Sequence, residues 1–439
     1  MRAGMLGGAT LLLIAALGGT ASAAPTAPVY QVGNAAGPYK IAGGTKPVQV
    51  AHEKLAAGNW AVIVKAEIDG TSTSATKLHP AACVLDLDGT TQRTSVSPSA
   101  AGTAGSRQAI TLNVAAHLAA SVSARLECNA PGSKTGVDTI RQIRFTAIKA
   151  VALTVGASGG PPTDYGSQTA QTHLFHARGL TVKMPADSTW YQSVQIVIPA
   201  FTDVAMTASA TIAGAAGDGQ VTCEITTGFD YDQVNLPIHH AGSFGDHVNV
   251  GLQVDHFQTD QDWTAQVICG VSSTAVGATV RNVRITVYRA IDLQNQNIAS
   301  DDTYAQIKSW DSEPVLGGWN DGPVALATSP KPGHVADQIL PAGRWVVVAK
   351  GWLDHVAAGA ETVTCTLGGG TSIDRITVVL GDAASVDHIR PVFLMWSGRL
   401  SAASAVILAC ATPTGSVNAW FVKLNAYKAG TLKSVSIAG

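Results

Sequence analysis

Six cysteines constrain this chain most, because they fall as three evenly spaced pairs. Cys83 and Cys128, Cys223 and Cys269, and Cys365 and Cys410 are separated by 45, 46 and 45 positions, and the pattern recurs every 140 to 142 residues. A period of that length predicts three related domains, each stapled by its own disulfide. No close CxxC pair is present, so metal ligation and dithiol chemistry are the weaker explanations. For a closed segment of about 45 residues, loop-closure entropy gives roughly 4 kcal/mol of stabilisation before native strain is subtracted.

Disulfides belong to oxidising compartments, and the first residues supply a route to one. Arg2 precedes the apolar run Leu11-Leu-Leu-Ile-Ala-Ala-Leu17, which Ala21-Ser-Ala23 follows. This charged, hydrophobic and small-residue series predicts a signal peptide over residues 1–23 and a product beginning at Ala24. The run is short for a membrane anchor, and no transmembrane segment is expected after cleavage. Residues 1–23 carry Arg2 as their single charge, so the remainder holds 27 Lys or Arg against 30 Asp or Glu. Charges so sparse and balanced provide no nucleic-acid footprint, and no motif calls for a cofactor.

Alternation then gives the fold class. Leu55-Ala-Ala-Gly-Asn-Trp60, Leu340-Pro-Ala-Gly-Arg-Trp345 and the more divergent Met184-Pro-Ala-Asp-Ser-Thr-Trp190 each lead into an alternating run. One parity carries Val62, Val64, Ala66 and Ile68; Val194, Ile196 and Ile198; or Val347, Ala349 and Leu353, and should face a core. Lys65, Gln195 and Lys350 are then expected on the opposite, solvent-facing side. Cysteines share the parity of apolar neighbours, as Cys83 does with Leu85 and Leu87, Cys128 with Leu126, and Cys410 with Leu408, which predicts that they point inward. Each repeat closes on a similar strand: Ile143-Arg-Phe-Thr-Ala-Ile-Lys149, Val283-Arg-Ile-Thr-Val-Tyr-Arg289 or Val422-Lys-Leu-Asn-Ala-Tyr-Lys428. The expected fold is all-β, with three tandem antiparallel β-sandwich domains and one intradomain disulfide in each.

The expected boundaries follow the repeats: leader 24–43, sandwich 44–154, linker 155–170, sandwich 171–294, aromatic connector 295–324, sandwich 325–432 and tail 433–439. Gly156-Ala-Ser-Gly-Gly-Pro-Pro-Thr-Asp-Tyr165 and Trp310-Asp-Ser-Glu-Pro-Val-Leu-Gly-Gly-Trp319 mark the connections, because Gly and Pro interrupt ladders.

In its Gly-x-Trp strands, recurrent cysteines and closing strands, the chain resembles tandem β-sandwich modules of secreted bacterial proteins, actinobacterial ones in particular. The resemblance covers about three quarters of the chain and implies an extracellular structural or recognition role; it transfers no catalytic residue. The Gly-x-Trp strand and terminal strand are also similar to the jelly-roll heads of the tumour-necrosis-factor and complement C1q superfamily. That likeness implies a jelly-roll sandwich and a tendency to trimerise. Three joined repeats could then close into a pseudo-trimer, with an elongated row as the equal alternative.

Candidate chemistry is scattered. His239-His240 and Asp246-His247 flank the bend Gly242-Ser-Phe-Gly245, but no conventional metal spacing accompanies them, and a surface loop explains them as well. His173, His176 and His256 could join such a group only through folding. Asp86-Leu-Asp-Gly89 and Asp255-His-Phe-Gln-Thr-Asp260 offer oxygen ligands without the calcium loop pattern, so no metal site is assigned. Trp263 shares the parity of Cys269 and is expected in the core. Tyr304, Trp310 and Trp319 fall in the connector, where they would form a ligand platform or join domains. The leading expectation is a secreted or cell-surface structural and interaction protein, with an extracellular protein or a cell-envelope glycan as partner. Carbohydrate or protein-ligand binding is the alternative, and a secreted hydrolase the third reading.

Overall fold

Segments rich in Val, Ile, Thr and Ala satisfy their backbone groups through sheet ladders. The computed structural model describes residues 29–71, 80–131, 138–156, 173–184, 190–198, 200, 203–227, 230–256, 261–290, 292–297, 314–320, 322–328, 332–370 and 372–437. Unit 1 comprises β1 (Val29–Ala35), β2 (Tyr39–Lys40), β3 (Ala42–Gly43), β4 (Val48–Leu55), β5 (Gly58–Gly70), β6 (Ala81–Leu87), β7 (Thr90–Val96), β8 (Arg107–Leu118), β9 (Val122–Ala130) and β10 (Asp138–Ala150). β11 (Ala152–Gly156) follows. Unit 2 comprises β12 (His173–Arg178), β13 (Val182–Lys183), β14 (Tyr191–Ile198), β15 (Asp203–Ala213), β16 (Gly219–Thr226), β17 (Tyr231–Ile238), β18 (His247–His256), β19 (Trp263–Val271) and β20 (Thr279–Ala290), and β21 (Asp292–Asn297) follows. Unit 3 comprises β22 (Pro314–Asn320), β23 (Val324–Ala325), β24 (Ala327–Thr328), β25 (Gly333–Leu340), β26 (Gly343–His355), β27 (Glu361–Gly369), β28 (Ser372–Leu380), β29 (Ile389–Leu400), β30 (Ser404–Thr412) and β31 (Val417–Lys428), and β32 (Thr431–Ser436) ends the series.

Each unit stacks two sheets. Inner orders are β1-β10-β5-β8, β12-β20-β15-β18 and β22-β31-β26-β29; outer orders are β4-β9-β6-β7, β14-β19-β16-β17 and β25-β30-β27-β28. In every unit the first long strand lies beside the last, and the second beside the one before last. That order is the jelly roll, read directly from strand pairing.

The three disulfides form as the spacing predicts. Cys83 of β6 is bonded to Cys128 of β9, Cys223 of β16 to Cys269 of β19, and Cys365 of β27 to Cys410 of β30. In each bridge the two cysteines are direct register partners on adjacent outer strands, with Cα atoms 4.1 Å apart. Each bridge therefore staples neighbouring strands of one sheet and does not cross the sandwich. Cys83 and Cys128 are buried in the core of unit 1, Cys223 and Cys269 in that of unit 2, and Cys365 and Cys410 in that of unit 3.

Trp190 is not the counterpart of Trp60 and Trp345. It precedes β14, which pairs with β19 in an outer sheet, whereas Trp60 and Trp345 lie in the inner strands β5 and β26. The true counterpart of β5 is β15, where Met206 opposes Val287 as Val62 opposes Ala147. Val194, Ile196 and Ile198 face the core from a different strand, and Gln195 is not equivalent to Lys65. Residues of the expected leader form β1, β2 and β3 within the sheets of unit 1, and part of the expected connector forms β22.

The units close into a ring. β11 pairs in parallel with β12, β21 with β22, and β32 with β1. Each unit thus lends the strand after its closing strand to the first strand of the next, and the last returns to the first. A row would leave β1 and β32 apart.

Closure buries the second face of the inner sheets, which corrects the expected exposure of Lys65 and Lys350: they are 0% and 1% exposed. Tyr30 and Ile63 of unit 1, Ala205 and Tyr288 of unit 2, and Val348 and Tyr427 of unit 3 share one apolar cluster. On the axis, Thr111, Gly251 and Phe393 occupy the register positions opposite Lys65, Ser209 and Lys350. A Cβ at Gly251 would stand 3.1 Å from both Phe393 Cδ2 and Thr111 Oγ1, so three backbones converge there only because one side chain is missing.

A polar belt runs through this interface. Asp374 on β28 accepts from Met395 N at 2.8 Å and from Lys65 Nζ of unit 1 at 3.1 Å. Asp232 on β17 accepts from Gln253 N at 2.9 Å and from Lys350 Nζ of unit 3 at 2.5 Å. Gln92 on β7 accepts from Asn113 N at 2.5 Å and donates to Ser209 Oγ of unit 2 at 2.7 Å. Burial drives the Lys65 ammonium below the ordinary lysine range, while Asp374 pulls it back. Lys65→Met removes one of the two cations at Asp374 and leaves Arg144 Nε at 3.1 Å, so it should cost about 3 kcal/mol in chemical denaturation, the low end for breaking a buried pair. Lys54→Met, at an exposed residue of β4, should change stability by no more than about 0.5 kcal/mol. Equal stability of the two variants would contradict the junction's role.

Candidate functional site

Three loops join an outer edge strand to an inner one: residues 97–106 after β7, 239–246 after β17 and 381–388 after β28. The ring brings them together at one end of its axis. Ser97 N donates to His247 O at 3.1 Å, and Gly245 N to Ser97 O at 2.8 Å, linking the first loop to the second. His239 Nε2 lies 3.2 Å from Asp387 Oδ1, linking the second to the third. Gly105 N donates to Val379 O at 3.0 Å, completing the cycle. Gly105 holds φ +74°, the left-handed region that favours glycine, and a Cβ on it would stand 2.5 Å from Arg390 Nη2 and push that guanidinium aside.

The histidine-rich segment singled out in the sequence is therefore the wall of this crown. His239 sits between two carboxylates, with Nδ1 3.3 Å from Asp218 Oδ2 and Nε2 toward Asp387. His240 Nδ1 is 2.8 Å from Asp218 Oδ1, and Asp387 also pairs with Arg390. Burial alone would lower the His239 pKa, but Asp387 and Asp218 outweigh it and raise the pKa above the ordinary histidine value. Burial opposes ionisation of Asp387 too, yet Arg390 and His239 hold its carboxyl well below the usual carboxylate range.

Ser97, Asp246 and His247 form a grouping that resembles catalytic machinery. Asp246 Oδ1 accepts from Ser97 Oγ at 2.7 Å and lies 2.6 Å from His247 Nδ1, while Oδ2 accepts from Gly242 N at 2.9 Å. A Ser-His-Asp triad has the imidazole between hydroxyl and carboxylate. Here the carboxylate is in the middle, so the order is not that of the triad, and Asp246 orients both Ser97 and His247. Beneath the crown an axial space of about 20 Å³, lined by Ala109, Leu236, Asn249, Val378 and Pro391, has room for about one water molecule. Asn249 stitches the wall: Oδ1 accepts from Thr111 N at 2.7 Å, and Nδ2 donates to Thr111 O and Ala210 O, both at 3.1 Å.

The other candidates separate. Asp86 caps a hairpin, accepting from Gly89 N at 2.9 Å and pairing with Arg125 at 2.6 Å, while Asp88 occupies the turn at φ 51°. Asp255 accepts from Asn425 Nδ2 at 2.7 Å, and burial pushes its carboxyl up to about 8; Asp260 lies outside the described residues. His176 is buried, with Nδ1 2.9 Å from Thr286 Oγ1, and burial pushes its pKa down to about 3. The His173 and His256 side chains lie outside the described residues, although both backbones belong to strands. Trp263, expected in the core, is only half-buried, because it stands at the very start of β19. Tyr304 and Trp310 lie outside the described residues, whereas Trp319 stands in β22 opposite Lys423, its side chain likewise outside them. Among the described residues, no group of three or more His, Cys, Asp or Glu is placed to hold a metal ion, and no helix is long and apolar enough to cross a membrane.

Sequence reasoning missed the aromatic group at the junction of units 2 and 3. Trp352 stacks on Trp420 with centroids 5.6 Å apart and planes 9° from parallel, and Tyr231 meets Phe421 at 6.0 Å. Its signal was the outer parity of β26, where an aromatic appears at Trp352 in place of a polar residue.

No family model matches the chain, and no curated protein matches it. Among solved structures, the triple jelly-roll fold of an archaeal virus turret is 10% identical over 90% of this chain and 92% of its own, with a TM-score of 0.18. The tandem CBM22 domains of Paenibacillus barcinonensis Xyn10C are 10% identical over 60% of this chain and 100% of theirs, at 0.17. The infectious bursal disease virus Gx strain structure is 9% identical over 91% and 80%, at 0.21. TM-scores this low carry no argument; the jelly-roll assignment rests on strand order.

The crown generates a pH prediction. A raised histidine pKa contributes stability that is full below the unfolded value of about 6.5 and is lost as pH rises through the folded value. A depressed aspartate pKa contributes above an unfolded value of about 3.9 and is lost as pH falls through the folded one. The clamp should therefore be strongest from about pH 4 to 6.5. His239→Gln should flatten the fall in melting temperature between about pH 6 and 8, measured by calorimetry. Parallel profiles for parent and variant would refute the clamp.

Proposed function

We propose that this chain is an exported structural and interaction protein, acting outside the cell or at its surface as a rigid three-unit platform. The observation that carries this reading is where the charged clusters are used. Lys65–Asp374, Lys350–Asp232 and His239–Asp387 each join one unit to another, so the chemistry that a catalytic cleft would need is engaged in holding the ring closed. The signal-like first residues and three buried bridges support an oxidising destination. The outer sheets and loops are then the surfaces offered to an extracellular protein or an envelope glycan. Tyr231 of unit 2 meets Phe421 of unit 3 beside the Trp352–Trp420 stack of unit 3, so the described aromatics of this junction serve domain joining.

Expressed in an exporting host, the protein should be recovered outside the cytoplasm with Ala24 as its first residue. All six cysteines should resist alkylation until reduced. Cytoplasmic retention with reactive thiols would defeat the export reading. Screening the folded protein on a glycan array addresses the connector: reproducible binding abolished by Trp319→Ala would replace the platform reading with ligand recognition.

A further inference from the structure

One cross-strand pair in unit 3 sets two cations side by side with no acidic residue lining their cleft among the described residues. Arg344 on β26 and Arg399 on β29 are direct register partners, so their side chains leave the same face of the sheet together. Like charges placed directly opposite destabilise a sheet. Lys428 on β31 opposes Trp345 and so leaves the other face of the sheet, its Cε 3.7 Å from where a Cβ on Gly343 would be, at the strand end where the two faces meet. The three cations border an open cleft of about 470 Å³ that also includes Gly343 and Ser401, and among the described residues no acidic one lines it. Arg344 Nη1 donates to Gly430 O at 3.3 Å, a contact that leaves its positive charge uncompensated.

Unit 1 shows the same register position when it is satisfied internally. There the pair is Asn59 and His117, with Asn59 Oδ1 2.8 Å from His117 Nδ1 and Asn59 Nδ2 donating to Val151 O at 2.9 Å. Lys149, the counterpart of Lys428, lies 5.7 Å from the centroid of the Trp60 ring. Unit 3 keeps the lysine and replaces the hydrogen-bonded neutral pair with two arginines. The substitution concentrates positive charge at a position where the fold itself needs none.

We propose that the Arg344–Arg399–Lys428 cleft is an oxyanion-binding site, taking a sulfate, phosphate or carboxylate group. Two guanidinium groups present planar forks of N–H donors that match the paired oxygens of such groups, and Lys428 borders the cleft from the other face of the sheet as a more distant, less directional charge. A bound anion would also remove the like-charge repulsion. The proposal stands independently of the export reading, because it concerns the folded surface alone.

The test titrates sodium sulfate into the full chain at constant ionic strength, reading the arginine Nε–Hε resonances by NMR, with a heparin-derived hexasaccharide as a second arm. Saturable shifts at Arg344 and Arg399 are expected, with affinity at least roughly tenfold weaker in the Arg344→Gln/Arg399→Gln double variant and unchanged in Lys149→Gln. Comparable affinity for both probes supports a free anion as ligand; tighter hexasaccharide binding supports an anionic glycan. Without ligand, the double variant should melt at or above the parent temperature, since the repulsion is gone. Absence of saturable shifts in both arms, undiminished binding by the double variant, or a lower melting temperature for it would each overturn the site.

Discussion

The structure depends on how three exposed sheet edges are satisfied. β8, β18 and β29 end their inner sheets, and an edge strand carries unpaired N–H and C=O groups that must find partners once water is excluded. Asn113, Gln253 and Met395 donate theirs to Gln92, Asp232 and Asp374, side chains from the outer sheet of the same unit. Those side chains then turn to the neighbouring unit and meet Ser209, Lys350 and Lys65. Each unit's edge is thus closed by a group that also binds the next unit. Three separate sandwiches would leave Lys65, Lys350 and Asp374 as buried-type charges facing solvent beside apolar surface, which is why closure and unit folding are energetically linked.

The three junctions are related but unequal. Two carry a lysine–carboxylate pair and one a neutral glutamine–serine pair at the same register position. Thr111, Gly251 and Phe393 divide the axis in the same uneven way, one large side chain filling the space that a glycine leaves. A homotrimer must place identical residues at such points. A single chain is free to differentiate them, and unit 3 extends that freedom to its surface, where Arg344 and Arg399 replace the neutral pair of unit 1.

Sandwich class, disulfide pairing and core parity were legible in the sequence because each rests on a pattern within one unit, a period of two for class and parity and a repeated spacing for the cysteines. Cys128 and Cys410 could be matched to Cys83 and Cys365 from spacing alone, since both partners of each bridge belong to the same repeat. The ring was legible only as one of two alternatives. Its signal lay in Trp60-Ala-Val-Ile-Val64 and Trp345-Val-Val-Val-Ala349, which are apolar on both parities and so announce strands buried on two faces. Lys65 and Lys350 interrupt those runs and read as solvent-facing, since a buried lysine is intelligible only once its carboxylate is known, and Asp374 lies 309 residues from Lys65. Trp190 misled for a similar reason: a tryptophan after a short polar turn fits the start of either of two adjacent strands, and only pairing with β19 distinguishes them. The His239 segment was visible as chemistry, but its partner Asp387 comes from another repeat, so its role as a clamp was not.

Closure of the ring is the claim on which the junctions, the crown and the proposed platform all rest, and solution scattering from the folded chain tests it most directly. Compact packing of 439 residues corresponds to a radius of gyration of roughly 22 Å. Three units of this size strung in a row would give roughly 30 Å or more. A value near the first, with a pair-distance distribution of one maximum, is the predicted result; a value near the second, with maxima at successive unit spacings, would contradict the closed ring.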